Sequence, residues 1–573
     1  MNDLNNNSNN ASGAGFRSRA SILYETTELY IETHNPLPSP EVVEQQLLEE
    51  FNDELDLENA IRPKGQKFQS VLQLPDNVIV QLIAAKGHVC KIPMADGNPV
   101  LAVAYKSGRR AGTYGVISSK ISKEAISLKQ EIQQYNRSLS TKKMNEILDL
   151  LLDYEHIEER EITLDESLMV FNNGVWHVDT QEFEPWEKCD GKYTFLAKAG
   201  VNYNSHANQK IFIRNPDDGT VWELEDWINN LFYNPDCAKT IWEIFHAILR
   251  PAVNYKYGIW FSNADGSGCN GKSTILEICR NLIGKGNYFS LPIHDWDKRF
   301  RLTELPHSMA CLTDETPVNE RVERMTNYKL AITGDPISVE AKYGNPISLV
   351  WHGLTIMATN ANPSLADHTG SLMRRLIIIP FPKNFKALGE RGYIRDDYIN
   401  RQEVLEYIAY KVAHMDVTKF TEYDYMKESI KEYTSDTKVV FRFMNEFAMP
   451  DPESGETRLV WDFCPFTFLY DLFREYYKRY FNEKYTMNYP SFMKEVIEWC
   501  KLSGQTTWKV NFDEKGKVSR ERVKGRISKA EPLICEYELT NWVNKRYATS
   551  KDEEKRYFPD LKEKYTGIER VTD

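Results

Sequence analysis

One nine-residue stretch limits what this 573-residue chain can fold into: Gly266-Ser-Gly-Cys-Asn-Gly-Lys-Ser-Thr274. It follows an apolar run, Tyr257-Gly-Ile-Trp-Phe-Ser262, and precedes the helical pattern Ile275–Ile283. Strand, glycine-rich loop and helix in that order make GxxxxGK[ST] a phosphate cradle. Glycines let backbone N–H groups turn inward around phosphate oxygens, and the helix N-terminus adds partial positive charge. On this reading Gly266, Ser267, Gly268, Cys269, Asn270, Gly271, Lys272, Ser273 and Thr274 hold a nucleotide. Lys272 reaches the β- and γ-phosphates, and Ser273 holds Mg²⁺. Gly266, Gly268 and Gly271 also spell GxGxxG, a weaker dinucleotide signal that the following Lys-Ser-Thr disfavours.

Three later segments extend the pattern. Met309-Ala-Cys-Leu-Thr313 is a second apolar strand and ends in Asp314-Glu315, 42 residues after Lys272. Asp314 would bind Mg²⁺ through water and Glu315 would polarise the attacking water. Leu354-Thr-Ile-Met-Ala-Thr-Asn360 is a third strand with a polar tip. Asn360 either orients the lytic water or forms a turn before Asn362-Pro363. Arg374-Arg375 precedes Leu376–Ile379. One of the two could stabilise charge on the γ-phosphate of a neighbouring subunit; the alternative is a solvated basic pair.

Elsewhere the chain is less specific. Its length calls for several domains. There is no run of about 18 apolar residues, so no membrane span is expected. Neither a secretory signal nor a CxxC pair is present, and nine scattered cysteines suit a reducing cytoplasm. Net charge is −12, but residues 1–60 carry twelve acids and two bases, which leaves the rest at −2. A near-neutral body can still carry a basic patch for nucleic acid. Residues 1–60 read as a disordered acidic N-terminal tail, its later part a partly helical arm. Residues 61–165 form an N-terminal domain of unknown role, with Val71–Ala85 and Val100–Ala104 strand-like or mixed and Lys142–Tyr154 an amphipathic helix. Residues 166–251 form a further domain of short strands closed by a helix, and the motor spans 252–390. A helical connector covers 391–432, and 433–573 form the last domain. There, two aromatic helices precede an expected β-hairpin, Thr507–Phe512 and Val518–Ile527 around Asp513–Lys517. Residues 501–530 carry nine bases against three acids. Lys515, Lys517, Arg520, Arg522, Lys524 and Arg526 of this run are candidates for gripping a DNA backbone, or else line a solvated edge strand.

With these elements in order, the chain resembles the superfamily 3 helicases, a compact branch of the AAA+ ATPases. More narrowly it is similar to the phage, plasmid and poxvirus primase-helicase family, and within it to replication initiator helicases of staphylococcal mobile islands and cassettes. The resemblance runs over roughly 165–545, and includes Asn172-Asn-Gly-Val-Trp-His-Val-Asp179 upstream and Pro380-Phe381 downstream. It implies an α/β AAA+ P-loop motor preceded by an α+β domain and a collar, and followed by a winged helix. It also implies a homo-hexameric ring with ATP and Mg²⁺ between subunits, loading at an origin and drawing one DNA strand through the ring. Single-stranded, forked and origin duplex DNA, and replication proteins, are the implied partners. Arg375 becomes the finger, with Arg374 the fallback. Val339-Glu-Ala-Lys-Tyr-Gly-Asn345 becomes a pore hairpin, with Lys342 and Tyr343 at its tip and Gly344-Asn345 as its turn. Lys329 becomes a further contact between subunits. An ATP-switched origin-binding initiator without unwinding, and an AAA+ remodeller of proteins, are the rival functions.

Overall fold

The computed structural model describes residues 16–571 except 190, 264–267, 315–321, 323, 361–370, 387–390, 452–454, 482–486 and 503–506, together with the side chains of 435, 436 and 481. Gly266, Ser267 and Glu315 therefore lie outside the described residues, as do residues 1–15.

The acidic N-terminal segment is folded from residue 19 onward, contrary to the tail expected there. Helix α1 (Arg19–Thr33) packs on α2 (Pro40–Ile61) and on α3 (Asp76–Ala85). Val43, Leu47, Phe51 and Leu55 recur at helical spacing, and all four are buried. Most of the acids occupy the outer face, where Glu54 pairs with Arg17; Glu58 is buried beside the apolar stripe and pairs with Arg17 and Arg62. Asp76–Ala85 is a helix rather than a strand, since its apolar run is buried on every side and carries no period to read.

Three antiparallel strands follow, β1 (Val89–Pro93), β2 (Pro99–Ala104) and β3 (Tyr114–Val116), then α4 (Lys123–Tyr135) and α5 (Thr141–Asp153). Alternation splits this sheet. Val89 and Leu101 face the helices, while Cys90, Ile92, Met94, Ala102 and Val116 join a core that continues into the motor.

Strands β4 (Leu168–Phe171), β5 (Gly174–His177) and β6 (Glu182–Pro185) form a meander. The ribbon β7 (Phe212–Arg214) and β8 (Val221–Glu223) leads into α6 (Leu224–Asn229) and then α7 (Pro235–Ala247). The motor contributes β9 (Gly258–Ser262), α8 (Lys272–Ile283), β10 (Tyr288–Phe289), β11 (Ala310–Thr313), α9 (Thr326–Thr333), the hairpin β12 (Ile337–Val339) and β13 (Ile347–Leu349), β14 (Leu354–Ala358) and β15 (Leu376–Pro380). Helices α10 (Gly392–Asp396), α11 (Gln402–Ala413) and α12 (Asp424–Thr437) come next.

The central sheet is five-stranded and parallel, in the order β10-β11-β14-β9-β15. Parallel strands are covered on both faces, and alternation assigns each residue to one. Ile259, Phe261, Leu312, Ile356, Ile377 and Ile379 face a core shared with α7, α8 and α11. Trp260, Cys311, Met357 and Ile378 face the core shared with α9, the β12–β13 hairpin and the N-terminal sheet. The boundaries expected at 251 and 390 are thus not seams, because one core runs from Met169 to Tyr425. The chain is mixed α/β.

The C-terminal module has its own core. It runs α13 (Val439–Ala448), β16 (Phe463–Pro465), α14 (Phe466–Phe481), α15 (Tyr489–Leu502), β17 (Trp508–Lys509), β18 (Glu521–Arg522), β19 (Lys564–Tyr565) and β20 (Gly567–Arg570). The expected basic hairpin forms only around its turn, where Asp513 N donates to Lys517 O and Ser519 N to Asn511 O, each at 2.8 Å. Phe512 and Val518 meet in a single bridge. Trp508 and Lys509 pair with β20 instead, giving an antiparallel sheet β16-β20-β17, and β18 pairs with β19. Backbone pairing across some sixty residues leaves no trace in local sequence, unlike a hairpin turn.

Because Phe51 is fully buried in the N-terminal core, Phe51→Ala should destabilise that domain by about 3–5 kcal/mol. Hydrogen exchange of α1 and α2 amides would register the loss; unchanged protection would mean these helices contribute nothing to the domain.

Candidate functional site

The parallel register brings three strand ends to one edge. Gly258 lies level with Thr355, and Thr313 with Met357. The residues after β9, β11 and β14 therefore emerge together, and they include Asn263, Asp314 and Asn360. Thr359 N donates to Phe261 O at 2.9 Å and carries that alignment one residue beyond the strand. Ser262, Asn263, Asn270, Lys272 and Thr359 are all buried here, an unusual density of polar side chains.

The described part of the loop turns on Cys269, at φ 60°, and Gly271, at φ 91°. A Cβ on Gly271 would stand 2.8 Å from Leu231 Cδ2, so the glycine serves both conformation and close approach. Phe385 N donates to Cys269 O at 2.9 Å and anchors the loop from outside. Helix α8 begins at Lys272, whose side chain is 4 % exposed. Ser273 Oγ donates to Asp314 Oδ1 at 3.1 Å, and Arg280 Nη1 stands 3.8 Å from Asp314 Oδ2. A hydroxyl and a carboxylate oxygen converging beside the phosphate loop are hard ligands of the kind Mg²⁺ takes alongside water and phosphate. Asn360 is half-buried at the same edge.

Arg374 and Arg375 stand elsewhere. They close a short 3₁₀ turn before β15, whose first residue, Leu376, is level with Gly258 at the start of β9. The phosphate loop follows the end of β9, so a five-residue strand, about 16 Å, separates the two levels. Arg375 Nη1 donates to Ser371 O at 3.0 Å, and Arg374 is exposed. Neither belongs to the Lys272 edge of its own chain.

The hairpin β12–β13 forms as an antiparallel pair, with Ile337 opposite Leu349 and Val339 opposite Ile347. Its turn differs from the Gly344-Asn345 turn expected. Lys342 and Tyr343 make it, both exposed, and Tyr343 sits in the left-handed region at φ 60°. Gly344 is a close-approach glycine, since a Cβ there would collide with Ser118 O and stand 2.9 Å from Ser119 Cβ in the N-terminal domain. Ala95 N donates to Ser348 O at 2.9 Å, a second backbone tie between that domain and the hairpin. Lys329, on α9, is half-buried on the opposite side of the sheet from α8.

In the C-terminal module Lys515, Lys517, Arg520, Arg522 and Lys524 are exposed. Arg522 stands 3.3 Å from Glu563, and Arg526 is 3.2 Å from Glu569 and 3.6 Å from Glu521. Arg526 is therefore engaged by acids of both C-terminal sheets.

Reading by motif missed one wall of the site. A cavity of about 870 Å³ begins at Cys269–Thr274 and continues between β7–β8 with α6 on one side and α10 on the other. Those segments lie about forty residues before and over a hundred after the loop, and carry no phosphate-binding signature. Glu223 Oε1 and Oε2 accept from the N–H groups of Glu225 and Asp226, each at 2.9 Å, and so cap α6. Although burial opposes ionisation, donors from Lys411, Tyr407 and Lys210 take the Glu225 carboxyl down to about 2. That ionic node ties the wall to α11.

Residues 264–375, from the phosphate loop to the arginine pair, match a family of unknown function (DUF5906). Solved structures of the apo NrS-1 C-terminal region show partial likeness. The A-form apo structure aligns at 11 % identity and a TM-score of 0.37, covering 62 % of this chain and 74 % of that one. The apo structure of residues 305–718 gives 12 % and 0.37, covering 74 % and 86 %. Its A form gives 12 % and 0.35, covering 76 % and 87 %.

Replacing Gly344 should show whether the hairpin tip needs its backbone contact with the N-terminal domain. Gly344→Ala should lower thermal stability, by about 1–3 kcal/mol for an overpacked contact, and expose amides at 118–119 to exchange. A variant as stable as the parent would mean the tip is free of that domain.

Proposed function

We propose that this protein is an ATP-dependent DNA helicase of the AAA+ type that works as a ring, its ATP sites shared between neighbouring subunits. The observation that carries the reading is the division of the motif residues between the two ends of the sheet. Lys272, Ser273, Asp314 and Asn360 share one edge, and Arg374 and Arg375 lie a strand length away. Groups suited to one phosphoryl-transfer site, held apart in one chain, suit completion by a second copy. The strand order, with one strand between the loop-bearing and acid-bearing strands, agrees.

In this reading Lys272 and the α8 N-terminus hold the β- and γ-phosphates. Mg²⁺, held through Ser273 and Asp314, neutralises charge between them. Glu315 polarises the lytic water, Asn360 orients it, and Arg375 of the neighbour offsets charge on the γ-phosphate, with Arg374 as the alternative. Lys342 and Tyr343 of the exposed turn contact one DNA strand. Helix–strand–helix–helix–strand–strand connectivity, with the last strand central, suits a winged helix. Its exposed bases, Lys515, Lys517, Arg520, Arg522 and Lys524, would touch phosphates and carry little base specificity.

A specific observation favours a second reading, an ATP-switched initiator that marks or melts an origin without translocating. The hairpin is tied to the N-terminal domain at two backbone points, which suits a fixed wedge better than a travelling lever. Strand displacement on forked DNA separates the two, because an initiator would hydrolyse ATP there without releasing the strand.

Lys272→Ala should reduce ATP turnover by at least about a hundredfold. Arg375→Ala alone should be similarly inactive. Mixing the two inactive variants should restore roughly a quarter of the sites in a randomly assembled ring, since an intact lysine then meets an intact arginine. No recovery on mixing, with assembly intact, would place the finger in another residue.

A further inference from the structure

The outer face of the β7–β8 ribbon carries two apolar side chains where solvent would be expected, beside the charged Arg214 and Glu223. Ile213 and Trp222 are paired and buried, which accounts for the inner face. Phe212 and Val221 point the other way, 66 % and 60 % exposed, on a ribbon too short to need a second apolar face for its own stability. Both line the cavity that starts at Cys269–Thr274, as does Trp227 from the first helix after the ribbon.

We propose that this face is the seat of the nucleotide's aromatic base, so that the domain before the motor completes the substrate site. The proposal rests on the phosphate reading of Lys272–Thr274 and adds the class of ligand: a nucleoside triphosphate held by its base as well as its phosphates. A cavity of about 870 Å³ falls within the range of small-molecule sites, about 300–1,000 Å³. Phosphates held at the α8 N-terminus leave the nucleoside to extend along the same cavity toward Phe212. The seat is pre-formed. Glu223 caps α6 from within, and Glu225 is fixed by Lys411, Tyr407 and Lys210, so Trp227 stands on a braced turn. Stacking on aromatic and aliphatic faces needs no edge hydrogen bonds, in keeping with a wall on which Phe212 and Val221 are exposed and Trp227 is half-buried.

Calorimetric titration of the full chain with Mg-ATP analogue and with Mg-tripolyphosphate separates the parts. Phe212→Ala, at an exposed position, should weaken binding of a non-hydrolysable ATP analogue about tenfold and leave tripolyphosphate binding unchanged. Phe212→Trp should restore it. Trp227→Phe should abolish any change in tryptophan emission that the analogue produces and tripolyphosphate does not. Unaltered analogue affinity in Phe212→Ala overturns the seat, as does an equal loss for both ligands. A shift in sedimentation with unaltered analogue affinity also overturns it, and assigns the face to a second copy of the chain. Lys272→Ala tests the underlying reading separately: it should weaken both ligands, and if both bind it as they bind the parent, the phosphate site itself is wrong.

Discussion

The register of the parallel sheet is the constraint on which the rest depends. Five strands running the same way deliver their following loops to one edge, and no side-chain preference could gather Lys272, Asp314 and Asn360 without it. Hydrogen bonding between β9 and β14 fixes the level of the edge, and Thr359 N to Phe261 O extends it. The 3.1 Å bond from Ser273 to Asp314 is then a consequence of two strands, β9 and β11, ending together on either side of β14. The same register holds the arginine pair at the far end of the sheet, a strand length from that edge.

What could be read from the chain follows from how local each signal is. The glycine-rich loop is legible because the left-handed backbone at Gly271 and the helix start at Lys272 leave their marks within a few residues. The strands that end before Asp314 and Asn360, and the one that starts at Leu376, are legible because a short buried parallel strand is an unbroken apolar run. The helix at Asp76–Ala85 escapes for the same reason, since a run buried on all sides has no period. The N-terminal helices escape because their acids face water while Leu47, Phe51 and Leu55 face inward, and composition averages the two faces. The wall formed by Phe212 and Trp227 has no local mark at all; only tertiary packing brings it to the loop.

Domain boundaries were the least legible part. Pro251 and the charged stretch after Lys383 look like joints, yet a single core passes through both. Trp222 stacks near Tyr398 and Tyr407 reaches Glu225, so segments nearly two hundred residues apart behave as one wall. The C-terminal module differs: its core includes no residue from before Val440. The β7–β8 ribbon is therefore tied to α11 by direct packing, whereas the C-terminal module follows on through the contact of α12 with α13.

The shared core behind the central sheet has a consequence for dissection of the chain. Ile337, Val339, Ile347 and Leu349 are covered jointly with Ile92, Met94 and Val116. A truncation starting at residue 166 would strip that cover and leave two short strands with an apolar face and a free edge in water, the arrangement most given to pairing with other chains. The N-terminal domain is in this sense the lid of a box whose other sides belong to the motor. A fragment lacking it would report on aggregation before it reported on activity.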